Sequence, residues 1–291
     1  MTTTTPQLAR PIVASSGSKL MHQIRSERIK ITSTKTWWLF SIGLLVLTGL
    51  SLLVNTLNTN SDLSPSSGDP VPADVAVRDA ATIFTSGQYF GGLFVMLLAI
   101  LIVTNEFYHQ TATSTFLATP HRSVVVGGKL LVGIACAVVV WIGTTVLDLI
   151  VGVLFFNGEG ISNHLGDSSV LRAIVVNLMV FALWAVFGIG FGALIRSQIG
   201  ATVTAVLLYT IGVLAVEIVF AVIHRYLWHS DHVYQAAVLV PGIAAQIAVS
   251  STPVDINGAV VHWYWGAIVL LAYGIIMGAV GTLILRKRDI S

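Results

Sequence analysis

Long apolar segments, separated by shorter polar ones, dominate this sequence. The apolar segments are Trp37–Leu57, Phe84–Thr104, Leu130–Phe156, Val170–Ile195, Ile199–Ile223 and Trp263–Leu285. Each is long enough to cross a membrane, because a helix needs about 20 apolar residues to span the hydrocarbon core. A backbone inside lipid must satisfy its hydrogen bonds within its own segment, so the pattern predicts an all-α integral membrane protein with six transmembrane helices.

The composition supports the membrane interpretation. Of the 291 residues, 55% are hydrophobic and only 10% are charged, whereas soluble domains have about 25% charged residues. This number of charges is too small to cover a globular surface in water. The bilayer must therefore be part of the solvent. The single cysteine, Cys136, lies in an apolar segment, and it excludes a disulfide framework within the chain.

The polar N-terminal part predicts two regions before the membrane domain of residues 37–291. Residues 1–17 are rich in Thr, Ser and Pro and predict a disordered cytoplasmic tail without a cleavable signal. Residues 18–36 predict a basic amphipathic helix. Because Leu20 and Ile24 share one helical face, this helix is expected to lie in the membrane interface before the first span. A soluble tail helix is the alternative.

The distribution of basic residues predicts the orientation. With the N-terminus inside the cell, the cytoplasmic segments hold 12 of the 15 Lys and Arg residues. The exceptions are Arg78, Arg172 and Arg225. Cytoplasmic loops carry an excess of Lys and Arg, so both termini are expected in the cytoplasm, N-in and C-in, with the chain as a multi-pass protein of the plasma (inner) membrane.

Two outer loops are predicted. Asn58–Ile83 is polar and is expected to be exposed, whereas 224–262 is long and contains an apolar stretch, Ala236–Ser250, too short to cross. We expect that stretch to form short re-entrant or interfacial helices broken at Pro241–Gly242. Gly188 with Gly192, and Gly274 with Gly278, allow close helix packing, either inside the bundle or at a dimer seam.

The cytoplasmic loop 105–129 between spans two and three is the most informative segment. An acid ends the second helix, a Thr-rich apolar piece follows, and Pro, Arg and finally Lys129 lead into the third span. The residues of this pattern are Glu106, Phe107, Thr111, Thr113, Phe116, Leu117, Pro120 and Arg122. In this layout the chain resembles the permease subunits of type-2 ABC exporters. Many members carry Gly where this chain has Gln110.

The resemblance implies a function and partners. In that family the loop forms a coupling helix that rests on a separate ATP-binding subunit. It implies a transmembrane permease that works as a dimer with a second copy or a homologous permease, above two ABC ATP-binding subunits. ATP and Mg would bind the partner, so no cofactor, catalytic residue or enzymatic activity is expected in this chain, and no nucleic acid. The cargo is expected to be an amphiphilic drug, lipid or peptide.

The chain lacks a phosphate-binding loop of its own. The closest fragment is Gly127–Lys129, but Ser123 stands where the first glycine belongs and Leu130 stands where a Ser or Thr belongs. It also lies at the start of a predicted span. ATP is therefore expected to bind only to a partner.

Two acids lie inside predicted spans, Asp148 in the third and Glu217 in the fifth. Charged groups in lipid are costly and often functional, so both are candidates for the translocation path, for selecting cationic cargo, or for carrying protons. They could instead be structural, paired with Arg172 and Arg225. An ion- or proton-coupled secondary transporter is thus the first alternative function, although the internal repeats typical of that class are not evident.

Histidines cluster in the last outer loop. His224, His229, His232 and His262 lie there with Asp231, but their spacing matches no strong zinc motif. We therefore predict no metal site. A membrane enzyme using these outer His and Asp residues stays as the other alternative function.

Overall fold

The computed structural model describes residues 16–33, 36–63, 72–111, 122–195, 197–226, 235–256 and 258–287. Its α-helices are α1 (Ser16–Thr32), α2 (Thr36–Leu63), α3 (Ala73–Phe84), α4 (Gln88–Tyr108), α5 (Arg122–Gly158), α6 (Ser168–Leu194), α7 (Gln198–Tyr226), α8 (Pro241–Ala248) and α9 (Trp263–Lys287). A 3-10 helix covers Ala236–Leu239, and strands β1 (Val254–Ile256) and β2 (Ala259–Val261) form an antiparallel hairpin.

The six predicted membrane helices are confirmed as helices of sufficient length and apolarity. Within the described residues they are Trp37–Leu63, Ala73–Tyr108, Ser123–Gly158, Ser168–Leu194, Gln198–Tyr226 and Trp263–Leu285. The chain is therefore a multi-pass, all-α protein of the membrane type.

Helices α4 and α6 form the centre of the bundle. Their facing side chains, among them Met96, Ile100, Phe181 and Ile189, are almost completely buried. Helices α5 and α9 pack around this pair. Helices α2 and α7 lie at the periphery, and most of their large apolar side chains are exposed. Exposed apolar faces suit helices that have lipid as their solvent.

Glycines set the close packing of the central helices. A Cβ atom at Gly188 of α6 would meet the carbonyl oxygen of Met96 in α4, and one at Gly192 would press on Ile100. A Cβ atom at Gly274 in α9 would meet Leu183 of α6. Both glycine pairs predicted from the sequence therefore pack α6 against its neighbours inside the bundle.

The first outer loop differs from the prediction of an exposed polar segment. Helix α2 continues to Leu63, and α3 buries Ala76, Ala80, Ile83 and Phe84 on one face. That face packs against the neighbouring ends of α2, α5 and α6. The segment is helical because its apolar residues recur at helical spacing, a stripe that Asp74, Arg78 and Asp79 obscured in the average composition.

The apolar part of the last outer loop is broken as predicted. Val240 has extended backbone between the 3-10 helix and α8, and Pro241 occupies the first turn of α8, where its missing N–H costs nothing. The hairpin that follows was not predicted. Its turn contains Gly258 at φ 88°, and the Gly258 N–H donates to Asp255 Oδ1 at 2.6 Å.

Arg172 attaches α8 and the residues that follow it to the bundle. From α6 it donates hydrogen bonds to the carbonyl oxygens of Ser250 at 2.9 Å and Ser251 at 3.0 Å. Its guanidinium also lies 4.7 Å from the ring centre of Trp263, at the start of α9. One cation thus satisfies the carbonyls that follow α8 and joins three elements.

We predict that Gly188→Ala destabilises the protein by about 1 to 3 kcal/mol, because the added methyl group overpacks against Met96 and Ala99. Thermal unfolding in detergent would measure the change. Gly143→Ala in α5 is the matched control, since a Cβ atom there meets nothing within 4 Å. The control should be neutral or slightly stabilising. Equal effects of the two substitutions would contradict close packing at Gly188.

Candidate functional site

Four ionisable side chains meet at one end of the bundle, and we call them the charge ring: Glu27, Lys30, Glu106 and Lys129. Lys129 Nζ lies 3.2 Å from Glu27 Oε1 and 3.0 Å from Glu106 Oε1. Lys30 Nζ lies 3.1 Å from Glu27 Oε1 and 2.7 Å from Glu106 Oε1. Each ammonium therefore contacts both carboxylates, and the four charges sum to zero.

The charge ring is largely shielded from solvent. Glu27, Glu106 and Lys129 are 1%, 4% and 1% exposed, whereas the Lys30 side chain is 40% exposed. Lys129 also donates to the Ile102 carbonyl at 3.0 Å, and Gln23 Nε2 donates to Glu27 Oε1 at 2.9 Å. Buried charges are tolerated only when they are paired and hydrogen-bonded, as they are here.

The ring raises the pKa of Lys30 above its ordinary value. Burial lowers this pKa, but the hydrogen bonds and negative charges of Glu106 and Glu27 raise it by more. A raised lysine pKa stabilises the fold fully below the unfolded pKa, and that stabilisation is lost only as the pH rises through the folded pKa. Lys30 is therefore charged throughout the physiological range.

The ring fixes α1 to the bundle along the edge of its predicted apolar face, through Glu27, which the sequence analysis did not identify. Glu27 lies seven residues after Leu20, and hence only about 20° from it around the helix. It therefore lies at the edge of the predicted apolar stripe, on the side of Leu20 away from Ile24. Gly128 of α5 lies against Gln23 of α1, where a larger residue would not fit. The Gly-Gly-Lys segment therefore receives α1 rather than a phosphate.

Only three of the predicted coupling residues have side chains within the described part of the chain. Glu106 is buried in the ring, Phe107 is half-buried against the core, and Thr111 is exposed. The Thr111 N–H donates to the Glu106 carbonyl at 2.9 Å. The other predicted coupling residues, namely Thr113, Phe116, Leu117, Pro120 and the side chain of Arg122, lie outside the described residues.

Asp148 is fully buried, at 0% exposure, beside the turn between α3 and α4. Its Oδ2 accepts a hydrogen bond from the Gly87 N–H at 3.0 Å, while Oδ1 has no hydrogen-bond partner among the described residues. Among the described residues, the structural contact of Asp148 is therefore a hydrogen bond to the backbone rather than the ion pair considered from the sequence. Arg172 does not pair with Asp148, because it binds the carbonyls after α8 instead.

The other candidate residues from the sequence are Glu217 and the histidines and aspartate of the last loop, and only some of them lie within the described residues. The side chain of Glu217 on α7 lies outside the description, as do His229, Asp231 and His232. His262 stacks on Tyr264 with ring centres 5.4 Å apart. Within the described ranges, no three His, Cys, Asp or Glu side chains lie close enough to hold a metal ion.

A large cavity with both polar and apolar walls opens at the end of the bundle opposite the charge ring. Its volume is about 1000 Å³, and its walls come from α2, α3, the first turn of α4, α7, α8 and β1. Gln88 lies in its wall at the start of α4 and Glu106 lies near the end of the same helix, so about 27 Å separates cavity and ring. Sequence analysis did not identify this cavity, because its walls come from segments far apart in the chain.

Comparison with known proteins does not assign the chain to a family. No model of a known protein family matches it, and no curated protein matches its sequence.

We predict that Lys129→Met destabilises the protein by about 3 to 5 kcal/mol, because two buried carboxylates then share only Lys30. The double variant Lys129→Met with Glu27→Gln should recover part of this loss, since it leaves one neutral Lys30–Glu106 pair. Unfolding midpoints of the single and double variants would measure the coupling.

The control for the ring is Arg25→Gln, which removes an exposed charge from the same helix, α1. It should change stability by less than about 0.5 kcal/mol. Strictly additive losses in the double variant would show that Lys129 and Glu27 do not interact.

Proposed function

We propose that this chain is the transmembrane permease subunit of an ATP-driven exporter. Two permease subunits would form the translocation path, and two separate ATP-binding subunits would dock on loop 105–129. The cargo would be an amphiphilic drug, lipid or peptide. The proposal starts from the loop pattern and the six-span layout, and the charge ring supports it.

The charge ring is the observation that carries the mechanism. It joins α1, the end of α4 and the start of α5, and α4 and α5 are the helices that flank the proposed coupling loop. A displacement of that loop would therefore move three elements together, because separating them would leave buried charges unpaired. ATP drives such a change only by favouring one arrangement through different contacts.

The proposed orientation places the ring in the cytoplasm and the cavity outside. Lys30, Lys129 and the Arg286–Arg288 cluster then lie on the cytoplasmic side, as expected from the excess of Lys and Arg in cytoplasmic segments. Both termini are cytoplasmic in this arrangement, and the membrane is the plasma membrane.

Co-purification tests the proposal. The full chain would be expressed with each candidate ATP-binding subunit from the same genome and purified in nanodiscs. Thr111→Arg, and a second variant with residues 111–117 replaced by Gly and Ser, should lose the ATPase by at least about 10-fold, because both change the proposed docking surface. These positions are preferable to Glu106, whose substitution would also break the ring.

Asn60→Arg provides the matched control, because Asn60 is exposed at the opposite end of the molecule. It should retain the ATPase at the wild-type level. Retention of the ATPase by all three variants would exclude the loop as the docking element, and absence of any ATPase partner would reject the exporter proposal.

Asp148 favours a second candidate, a proton-coupled secondary transporter. A fully buried carboxylate, one oxygen of which has no partner in the described part of the chain, is a group that could gain and lose a proton during transport. Glu217 would be a second carrier. This candidate predicts that an imposed pH gradient drives transport in proteoliposomes without an ATPase. Asp148→Asn should then abolish the pH dependence, whereas an ATP-driven permease would show no transport under these conditions.

A further inference from the structure

An apolar groove runs between helices α5 and α9 in the half of the bundle that contains the charge ring. Its volume is about 480 Å³, its floor is Val186 of α6, and its walls come from the start of α5 and from one face of α9 between Gly274 and Leu283. Thr282 is the one polar residue among the described residues that line it. The groove therefore suits the hydrocarbon part of a ligand rather than a polar molecule.

Small residues leave this space open. Helices α5 and α9 both pack closely on α6, where Gly133 of α5 lies against Ile189 and Gly281 of α9 lies against the α6 backbone. In the groove itself, Gly278 and Ala279 of α9 have no side chain, or only a methyl group, with which to reach α5. The two helices are therefore held together through α6, and the gap between them opens on the surface that faces lipid.

The groove is as deep as one leaflet of a bilayer. From Gly274 to Leu283 the helix rises about 14 Å, and half of a hydrocarbon core of about 30 Å is about 15 Å. The groove lies at the charge-ring end, since its residue Leu130 directly follows Lys129. Toward the other end the same face of α9 carries the large exposed side chain of Leu271, so the groove ends about half-way along the helix. An acyl chain has this length, whereas a partner helix would cross both leaflets.

Positive charge follows the groove directly. Arg286 and Lys287 belong to the last turn of α9, and Arg288 follows them in the sequence. Arg286 comes three residues after Leu283, and hence about 4.5 Å further along the helix axis. Basic clusters beside the end of a membrane helix attract anionic lipid headgroups. The two lysines of the charge ring are neutralised by their own carboxylates, so residues 286–288 supply the charge at this end of the groove.

We propose that the groove is a binding site for an anionic glycerophospholipid. One acyl chain lies between α5 and α9, and the phosphate group pairs with the basic residues 286–288. The bound chain joins α9 to α5, the helix that carries Lys129 of the charge ring and follows the proposed coupling loop. The assignment goes beyond the proposed function. It rests on that function only for the leaflet, which is the cytoplasmic one in the proposed orientation.

Native mass spectrometry of the full chain in detergent tests the site. The chain is stripped of lipid and titrated with palmitoyl-oleoyl phosphatidylglycerol, or with the phosphatidylcholine that has the same acyl chains, so that only the headgroup differs. The first bound phosphatidylglycerol should have a dissociation constant at least about 10-fold lower than that of phosphatidylcholine, because only its headgroup carries a net negative charge.

Ala279→Phe tests the groove, because the larger side chain takes the place of the acyl chain. It should weaken phosphatidylglycerol binding by at least about 10-fold, since the loss of about two buried methylene groups is worth that factor. Ala135→Phe on α5 is the matched control, because Ala135 is exposed next to Ile134 and does not line the groove. It should bind like the wild type. Both variants should keep the wild-type unfolding temperature in lipid-free detergent.

The double variant Arg286→Gln with Lys287→Gln tests the headgroup. It should reduce the preference for phosphatidylglycerol to about 2-fold and leave phosphatidylcholine binding unchanged. The control, Arg25→Gln with Arg28→Gln, removes two exposed cations from α1 and should keep the preference. Equal losses in the two double variants would show attraction by surface charge in general and would overturn the site.

Equal affinities of the wild type for the two lipids, or wild-type binding by Ala279→Phe, would also overturn the proposal. So would a dimer that Ala279→Phe dissociates, because a second copy of the chain, and not a lipid, would then occupy the groove. These measurements contain no ATPase. Failure of the lipid site would therefore leave the exporter proposal standing, and absence of an ATPase partner would leave the lipid site standing.

Discussion

Lys129 is an ammonium group almost wholly removed from solvent at the start of a membrane helix. It is tolerated there because two carboxylates from other helices and one backbone carbonyl surround it. Neither carboxylate is stable alone either, since each would be a buried charge without a partner. Helices α1, α4 and α5 therefore depend on one another, and the charge ring fixes the position of α1 beside its apolar stripe.

The six membrane helices could be predicted because lipid imposes one simple requirement, a long run of apolar residues, and each run is local in the sequence. Helix α3 was missed because its apolar stripe is short and interrupted by Asp and Arg, so average polarity concealed it. The hairpin was also missed, although Asn257–Gly258 is a strong local turn signal.

The candidate sites were less predictable, since they form from residues distant in sequence. Glu106 and Lys129 could be identified as notable charges, but Glu27, 102 residues before Lys129, could not be connected to them. The position of Glu27 at the edge of an apolar stripe was the available signal. The partner of Asp148 was unpredictable because it is a backbone N–H, which has no sequence signature. The cavity required the relative positions of six elements.

The charge ring also constrains the order of events during synthesis. Glu27 emerges from the ribosome well before Lys129, and at about 5 to 20 residues per second the interval of 102 residues lasts on the order of 5 to 20 seconds. Throughout that time α1 has no membrane-embedded partner. Helix α1 precedes α5 in the chain, and yet its charged contacts to Lys129 form only after the start of α5 has been made.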